Sequence, residues 1–206
     1  MIPAPSECLR LMDQYRMLAN IRAHSLMVAR IADCLTGALL ACGLGIEAPL
    51  AVAGALLHDI AKSLCLDNDQ DHARMGRDIC LAHGFDELAP LVAQHVRLDE
   101  ASYPQTPLSA KEIVYYADKR VNHDRIVPLA SRLDYIIERY GKNDPARHQA
   151  IRRNFARCQA LEEELFRGLN FGPEEVAARV ASRPPAWLPN PPRTVAAEAV
   201  SGGGGW

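Results

Sequence analysis

Pro49-LAVAGALLHDIAK-Ser63 is the stretch on which the fold turns. It opens with a proline in a first-turn position, where the missing N–H costs nothing, and its side chains are apolar almost all the way round. Such a segment is a central helix buried on every side. It closes on His58 and Asp59, two ionisable groups at the end of the most apolar helix in the chain. Burying an unpaired carboxylate costs many kcal/mol, so Asp59 requires a partner. Adjacent helical positions diverge by about 100°, so His58 and Asp59 can embrace an ion on the helix flank but cannot pair closely with each other.

Helical patterning continues on both sides of this segment, from about residue 6 to about residue 182, and no two-residue alternation of the strand kind is evident. An all-α, single-domain helical bundle over about residues 6–182 follows. Asn20 reads as the cap of a helix reaching about Cys42, with His24, Met27, Val28, Ile31, Leu35 and Leu39 on one face. Downstream, a helix from about His72 to His83 ends at Gly84, and Asp86 is placed to cap another reaching about Val96. Ser109-Ala-Lys-Glu112 is a capping box opening a helix through Asp118 and Val121. Pro128 to about Tyr140 forms the next helix. Asn143-Asp144-Pro145 caps a long one to Gly168, whose charge pattern reads as peripheral. Residues 183–206, with five prolines and a glycine run, cannot build a core and read as a disordered tail.

A chain of 206 residues, 49% of them apolar, suffices for one well-buried core. With 23 basic and 25 acidic residues the formal charge is -2, which recommends neither nucleic acid nor an anionic membrane as a partner. The longest apolar run is about half a membrane span, and the N-terminus lacks the basic-then-apolar order of a signal peptide, so a cytoplasmic protein is expected. Six cysteines form no C-x-x-C pair and sit mostly in apolar helical stretches, as reduced core thiols do.

Three further helices repeat the anomaly of the first, each placing one ligand-type residue on an apolar face. His24 accompanies Val28 and Ile31, His95 accompanies Leu88, Leu91 and Val92, and Asp118 accompanies Val114 and Val121. Side chains converging from separate helices are how bundles build metal sites. Imidazole and carboxylate without thiolate suit iron, manganese, cobalt, nickel or zinc.

In order, His24, His58-Asp59 within LLHDIAK, and Asp118 within YYADKR resemble the H…HD…D pattern of the HD superfamily, over about residues 20–140. The resemblance implies a helical domain whose matching residues, His24, His58, Asp59 and Asp118, hold a divalent metal and hydrolyse phosphoester or phosphoanhydride bonds, usually of nucleotides. Two further histidines of many such proteins match His72 and His95, for a second metal or the substrate phosphates. Within the superfamily, His72-ARM-Gly76, His95 and Tyr115-Tyr-Ala-Asp118 are similar to bacterial proteins that cleave diadenosine tetraphosphate symmetrically. The chain has His95-Val-Arg-Leu98 where those proteins often carry a threonine and glycine after the histidine.

On this reading Asp59 orients the attacking water, and Lys62, one turn beyond His58, offsets charge on the phosphoryl oxygens. Arg120 and His123, just past Asp118, are further candidates for substrate phosphate. His83 is assigned to the end of its helix, His148 to solvent, and Glu162-Glu-Glu164 to a solvated face. The expected partners are a small phosphorylated molecule, a nucleotide first, and at most a second copy of the chain as a homodimer. Two alternatives remain: a nucleotide monophosphatase, and a non-catalytic metal-binding signalling or scaffold module.

Overall fold

The structure, a computed structural model, describes residues 1–68, 70–99 and 108–188. Among the described residues are nine α-helices: α1 (Pro5–Gln14), α2 (Ala19–Ala41), α3 (Ala48–Leu57), α4 (His72–Ala82), α5 (Ala89–Gln94), α6 (Ala110–Lys119), α7 (Leu129–Tyr140), α8 (Pro145–Phe166) and α9 (Val176–Ser182). The all-α expectation holds, with one addition. Val121–Asn122 (β1) and Arg125–Ile126 (β2) pair antiparallel, a hairpin too short to leave an alternating pattern in the sequence. The tail assigned to residues 183–206 is described only to residue 188; the rest lies outside the described residues.

Helix α3 is the axis of the bundle, packed against α1, α2 and α6. Every residue from Leu50 to Ala61 is buried, as its unbroken apolar composition requires. Gly54 permits the crowding, because a Cβ there would meet Leu91 Cδ2 at 2.8 Å and Val114 Cγ2 at 3.1 Å. Two stretches, Ala19–Ala41 and Ala48–Cys65, are long and apolar enough to cross a membrane. In the fold 50% and 67% of their apolar windows are buried against other helices.

Local signals set most helix ends. Ser109 and Glu112 form the expected capping box at α6, and Asp144 accepts from Ala146 N and Arg147 N ahead of Pro145 at α8. Gly84 follows α4 with φ 72°. Three local readings need correction. Asn20 lies inside α2, whose N-cap is Leu18. Asp86 sits in a turn, and α5 starts three residues later, because Phe85 and Leu88 are pulled into the core and set the entry themselves. Helix α8 is not peripheral, since Phe155, Cys158, Leu161 and Leu165 are buried and it packs on α6 and α7. Its apolar positions hold the 3.6-residue period despite the charges between them.

Candidate metal centre

Five segments deliver six ligand-type side chains to one point. His24 comes from the second turn of α2, and Asp118 from the last turn of α6. His58 is the C-cap of α3 and Asp59 follows it; His95 is the C-cap of α5. His72 is the first residue of α4, behind Asp71, whose carboxylate accepts from Ala73 N and Arg74 N. Gly76 lets α4 lie close to α5: a Cβ there would meet Val92 Cγ1 at 2.8 Å and Ile60 Cγ2 at 3.4 Å. This close approach brings His72 Nε2 to 3.3 Å from His95 Nε2.

Backbone carbonyls orient three of the four imidazoles. Nδ1 of His58 donates to Ala55 O at 2.8 Å, that of His95 to Val92 O at 2.7 Å, and that of His24 to His123 O at 3.0 Å. A carbonyl can only accept, so Nδ1 carries the hydrogen and, in the neutral ring, Nε2 presents its lone pair. Those Nε2 atoms face carboxylates. His24 lies 3.0 Å and His58 3.7 Å from Asp118 Oδ1, and His58 lies 3.3 Å from Asp59 Oδ2, closer than the helical divergence expected of adjacent residues, because α3 ends at Leu57 and both residues follow it. His72 and His95 lie 3.4 Å and 3.5 Å from Asp59 Oδ1.

The donor atoms of His24, His58 and Asp118 lie within 4.8 Å of one another, as do those of His58, Asp59 and His95. His58 Nε2 and Asp59 Oδ1 are fully buried with no hydrogen-bond partner among the described residues. Buried polar atoms are rarely left so, and a divalent cation fits both. His24, His58 and His95 also have the carbonyl support that metal-bound histidines require.

The electrostatics agree. Burial alone would raise both carboxyls, but His58 and Lys62 hold Asp59, and Lys119, His24 and His58 hold Asp118, well below the ordinary carboxylate range. Burial pulls His58 down, yet Asp59 and Asp118 more than reverse it and hold the ring above its usual value. A metal at Nε2 would take the place of the proton those carboxylates otherwise retain. For His95 burial prevails and the ring is held low, in the neutral form that ligation needs.

A cavity of about 460 Å³ opens onto the centre, lined among others by Lys62, His72, His95, Asp118, Lys119, Arg132, Tyr140 and Phe155. A larger one, about 870 Å³, lies between α2 and residues 168–187 and touches none of the six ligand-type residues. Lys62, expected at the site, reaches Asp59 Oδ2 at 2.7 Å. Burial lowers this ammonium, but Asp59 and Asp118 outweigh that and keep it charged.

Arg120 and His123 do not supply side chains to the cavity. Arg120 is buried, with Nε on Val127 O at 2.8 Å, Nη2 on Pro173 O at 3.0 Å, and Nη1 on Tyr116 Oη and Glu162 Oε2. Its position two residues past Asp118 turns it to the far side of the helix end. Glu162 is therefore a partner of Arg120 and Tyr116 and not part of a solvated face. His123 is exposed with φ 55°, its ring against Tyr135, and only its carbonyl serves the site. His83 bonds Tyr15 Oη at 2.9 Å and stacks on Phe85, and His148 is half-buried in α8.

Two cations escaped the sequence reading. Lys119 is buried, with Nζ 2.7 Å from His95 O and 3.2 Å from Asp118 Oδ2, over the Tyr115 ring. Arg132 comes from α7. The only sequence signal for Lys119 was adjacency to Asp118, which on a helix ordinarily means divergence.

Residues 21–135 match a family described as HD domain. Among curated proteins, Ribonuclease Y of Fervidobacterium nodosum is 34% identical over 92 residues, covering 44% of this chain and 17% of that protein. No solved structure matches the chain.

Proposed function

The chain belongs to the HD domain family, and from that premise we propose that it is a metal-dependent phosphohydrolase attacking a phosphoanhydride or phosphoester of a nucleotide with water. One observation carries this reading: carbonyl-oriented imidazoles from three segments aim Nε2 at two buried carboxylates, leaving His58 Nε2 and Asp59 Oδ1 without a hydrogen-bond partner among the described residues. His24, His58, Asp59 and Asp118 would hold the ion, with His72 and His95 beside Asp59 to hold a second one or a phosphate. When bound, the ion would supply Lewis acidity towards a phosphoryl oxygen and would make water acidic enough to ionise near neutral pH.

The chain's own groups do the rest. Asp59 places one oxygen between His58 and Lys62 and the other toward His72 and His95, so it can accept a hydrogen from water and fix its orientation. Lys62 and His72 border the cavity as donors for phosphoryl oxygens, where charge grows during displacement. Lys119 binds His95 O and Asp118 and keeps both in place.

Diadenosine tetraphosphate is the first compound to test, because His72-ARM-Gly76 and Tyr115-Tyr-Ala-Asp118 resemble the proteins that cleave it. The relation to a protein named Ribonuclease Y favours an RNA phosphodiester as the second. The experiment is metal analysis of purified protein, followed by product profiling with diadenosine tetraphosphate, nucleoside mono- and triphosphates and a single-stranded oligoribonucleotide. Bound metal with hydrolysis supports the enzyme reading. Bound metal with no hydrolysis of any of them favours a metal-binding module, and absence of metal with no hydrolysis rejects the centre.

A further inference from the structure

Three cations line the 460 Å³ cavity: Lys62, Lys119 and Arg132. Two are neutralised by the centre itself, Lys62 by Asp59 at 2.7 Å and Lys119 by Asp118 at 3.2 Å. Arg132 is different. It is only 9% exposed, yet among the described residues no carboxylate lies within ion-pair distance. Its Nη1 donates to the neutral Asn122 Oδ1 at 3.2 Å, its guanidinium lies 5.4 Å from the Tyr135 ring centroid, and its Nε has no hydrogen-bond partner among the described residues. A ring face and an amide orient a guanidinium without cancelling its charge. A buried charge left so is costly unless an anion joins it.

The surroundings show where that anion comes from. Arg132, Ile136 and Tyr140 recur every four residues along α7 and all face the cavity, opposite Ile151, Asn154 and Phe155 of α8. The cavity is therefore bordered by groups of the metal centre, by a guanidinium with no carboxylate partner among the described residues, and by apolar side chains of α7 and α8. We propose that Arg132 forms a second phosphate subsite, so that the preferred substrate carries at least one phosphate beyond the one attacked. This rests on the phosphohydrolase reading and narrows its substrate to nucleoside polyphosphates or dinucleoside polyphosphates over nucleoside monophosphates. The planar guanidinium suits bidentate contact with phosphate oxygens.

The test is calorimetric titration of the metal-loaded protein with orthophosphate and with inorganic triphosphate, in excess Mg²⁺, for the wild type and Arg132→Met. Wild-type protein should bind triphosphate more tightly. The substitution should weaken triphosphate about tenfold or more beyond any effect on orthophosphate, as loss of a charged hydrogen bond does. In kinetics, Arg132→Met should raise KM for a nucleoside triphosphate far more than it lowers kcat. The melting temperature of the ligand-free protein should not fall, since an uncompensated buried charge has been removed. Equal weakening of both anions with a lower melting temperature marks a structural arginine and overturns the proposal, as does unchanged triphosphate binding. If the wild type hydrolyses no phosphate compound, the phosphohydrolase reading fails, while the calorimetry still decides the subsite.

Discussion

Arg120→Met separates a substrate contact from a structural anchor. The guanidinium donates to Val127 O, Pro173 O, Tyr116 Oη and Glu162 Oε2, and so ties the end of α6 to the hairpin, to α8 and to the segment before α9. Its removal forfeits four hydrogen bonds, two of them to carbonyls left without this donor. It also strips the counter-charge from Glu162, which is 22% exposed and recovers part of its solvation from water. A broken buried pair of this kind costs about 3 to 5 kcal/mol. For a domain of this size that corresponds to a melting temperature lower by about 6 to 20 °C. Thermal denaturation followed by circular dichroism measures the shift, and KM is measured well below the transition. The expected result is a large loss of stability with KM for a phosphate substrate altered less than about twofold. An unchanged melting temperature with a raised KM would refute the reasoning and return Arg120 to the substrate.

Other consequences are equally direct. Asp59→Asn and His58→Ala should each abolish turnover and metal retention with helicity largely kept, and a chelator should lower the melting temperature of the wild type but not of the variants; equal activity in either variant removes the centre. Gly76→Val drives a side chain into Val92 and Ile60, pushes α4 from α5 and parts His72 from His95, so metal affinity should fall along with about 1 to 3 kcal/mol of stability. Normal metal content in a normally stable Gly76→Val protein would contradict that. At pH 8 iodoacetamide should label exposed Cys42 in the native protein while Cys8, Cys80 and Cys158, their thiols pushed by burial up to about 12, stay unmodified. Because the unfolded chain releases those protons near 9.0 and the folded one only near 12, their contribution is full below pH 9 and is lost as pH rises towards 12. A urea midpoint that stays flat from pH 8 to 11 would contradict this.

Much of the centre was legible because its residues break a local rule. His24, His95 and Asp118 sit on apolar helical faces, and His58-Asp59 ends a helix with no polar side, so burial and ionisability collide within a few residues of sequence. Lys62 was found through its one-turn spacing from His58. Arg120 was misassigned because two residues past a ligand is near in sequence but lies elsewhere around the helix end, where Tyr116, Glu162 and Pro173 wait. Lys119 and Arg132 went unseen for the converse reason. Their roles depend on His95 O and on a cavity shared by α6, α7 and α8, and those segments meet only in three dimensions.

By itself, then, the sequence determined the all-helical class, the buried axis ending in His58-Asp59 and the further ligand-type side chains His24, His95 and Asp118, because periodicity, capping and the cost of burying charge act over a turn or two, whereas His72 was marked only by the family resemblance. Tertiary structure alone decided how those groups present themselves. The carbonyl of His123 sets the ring of His24 across 99 residues, Gly76 sets how near His72 comes to His95, and Arg132 is buried without a carboxylate among the described residues. Each depends on distances between helices far apart in the chain, and such distances follow from how the whole core packs.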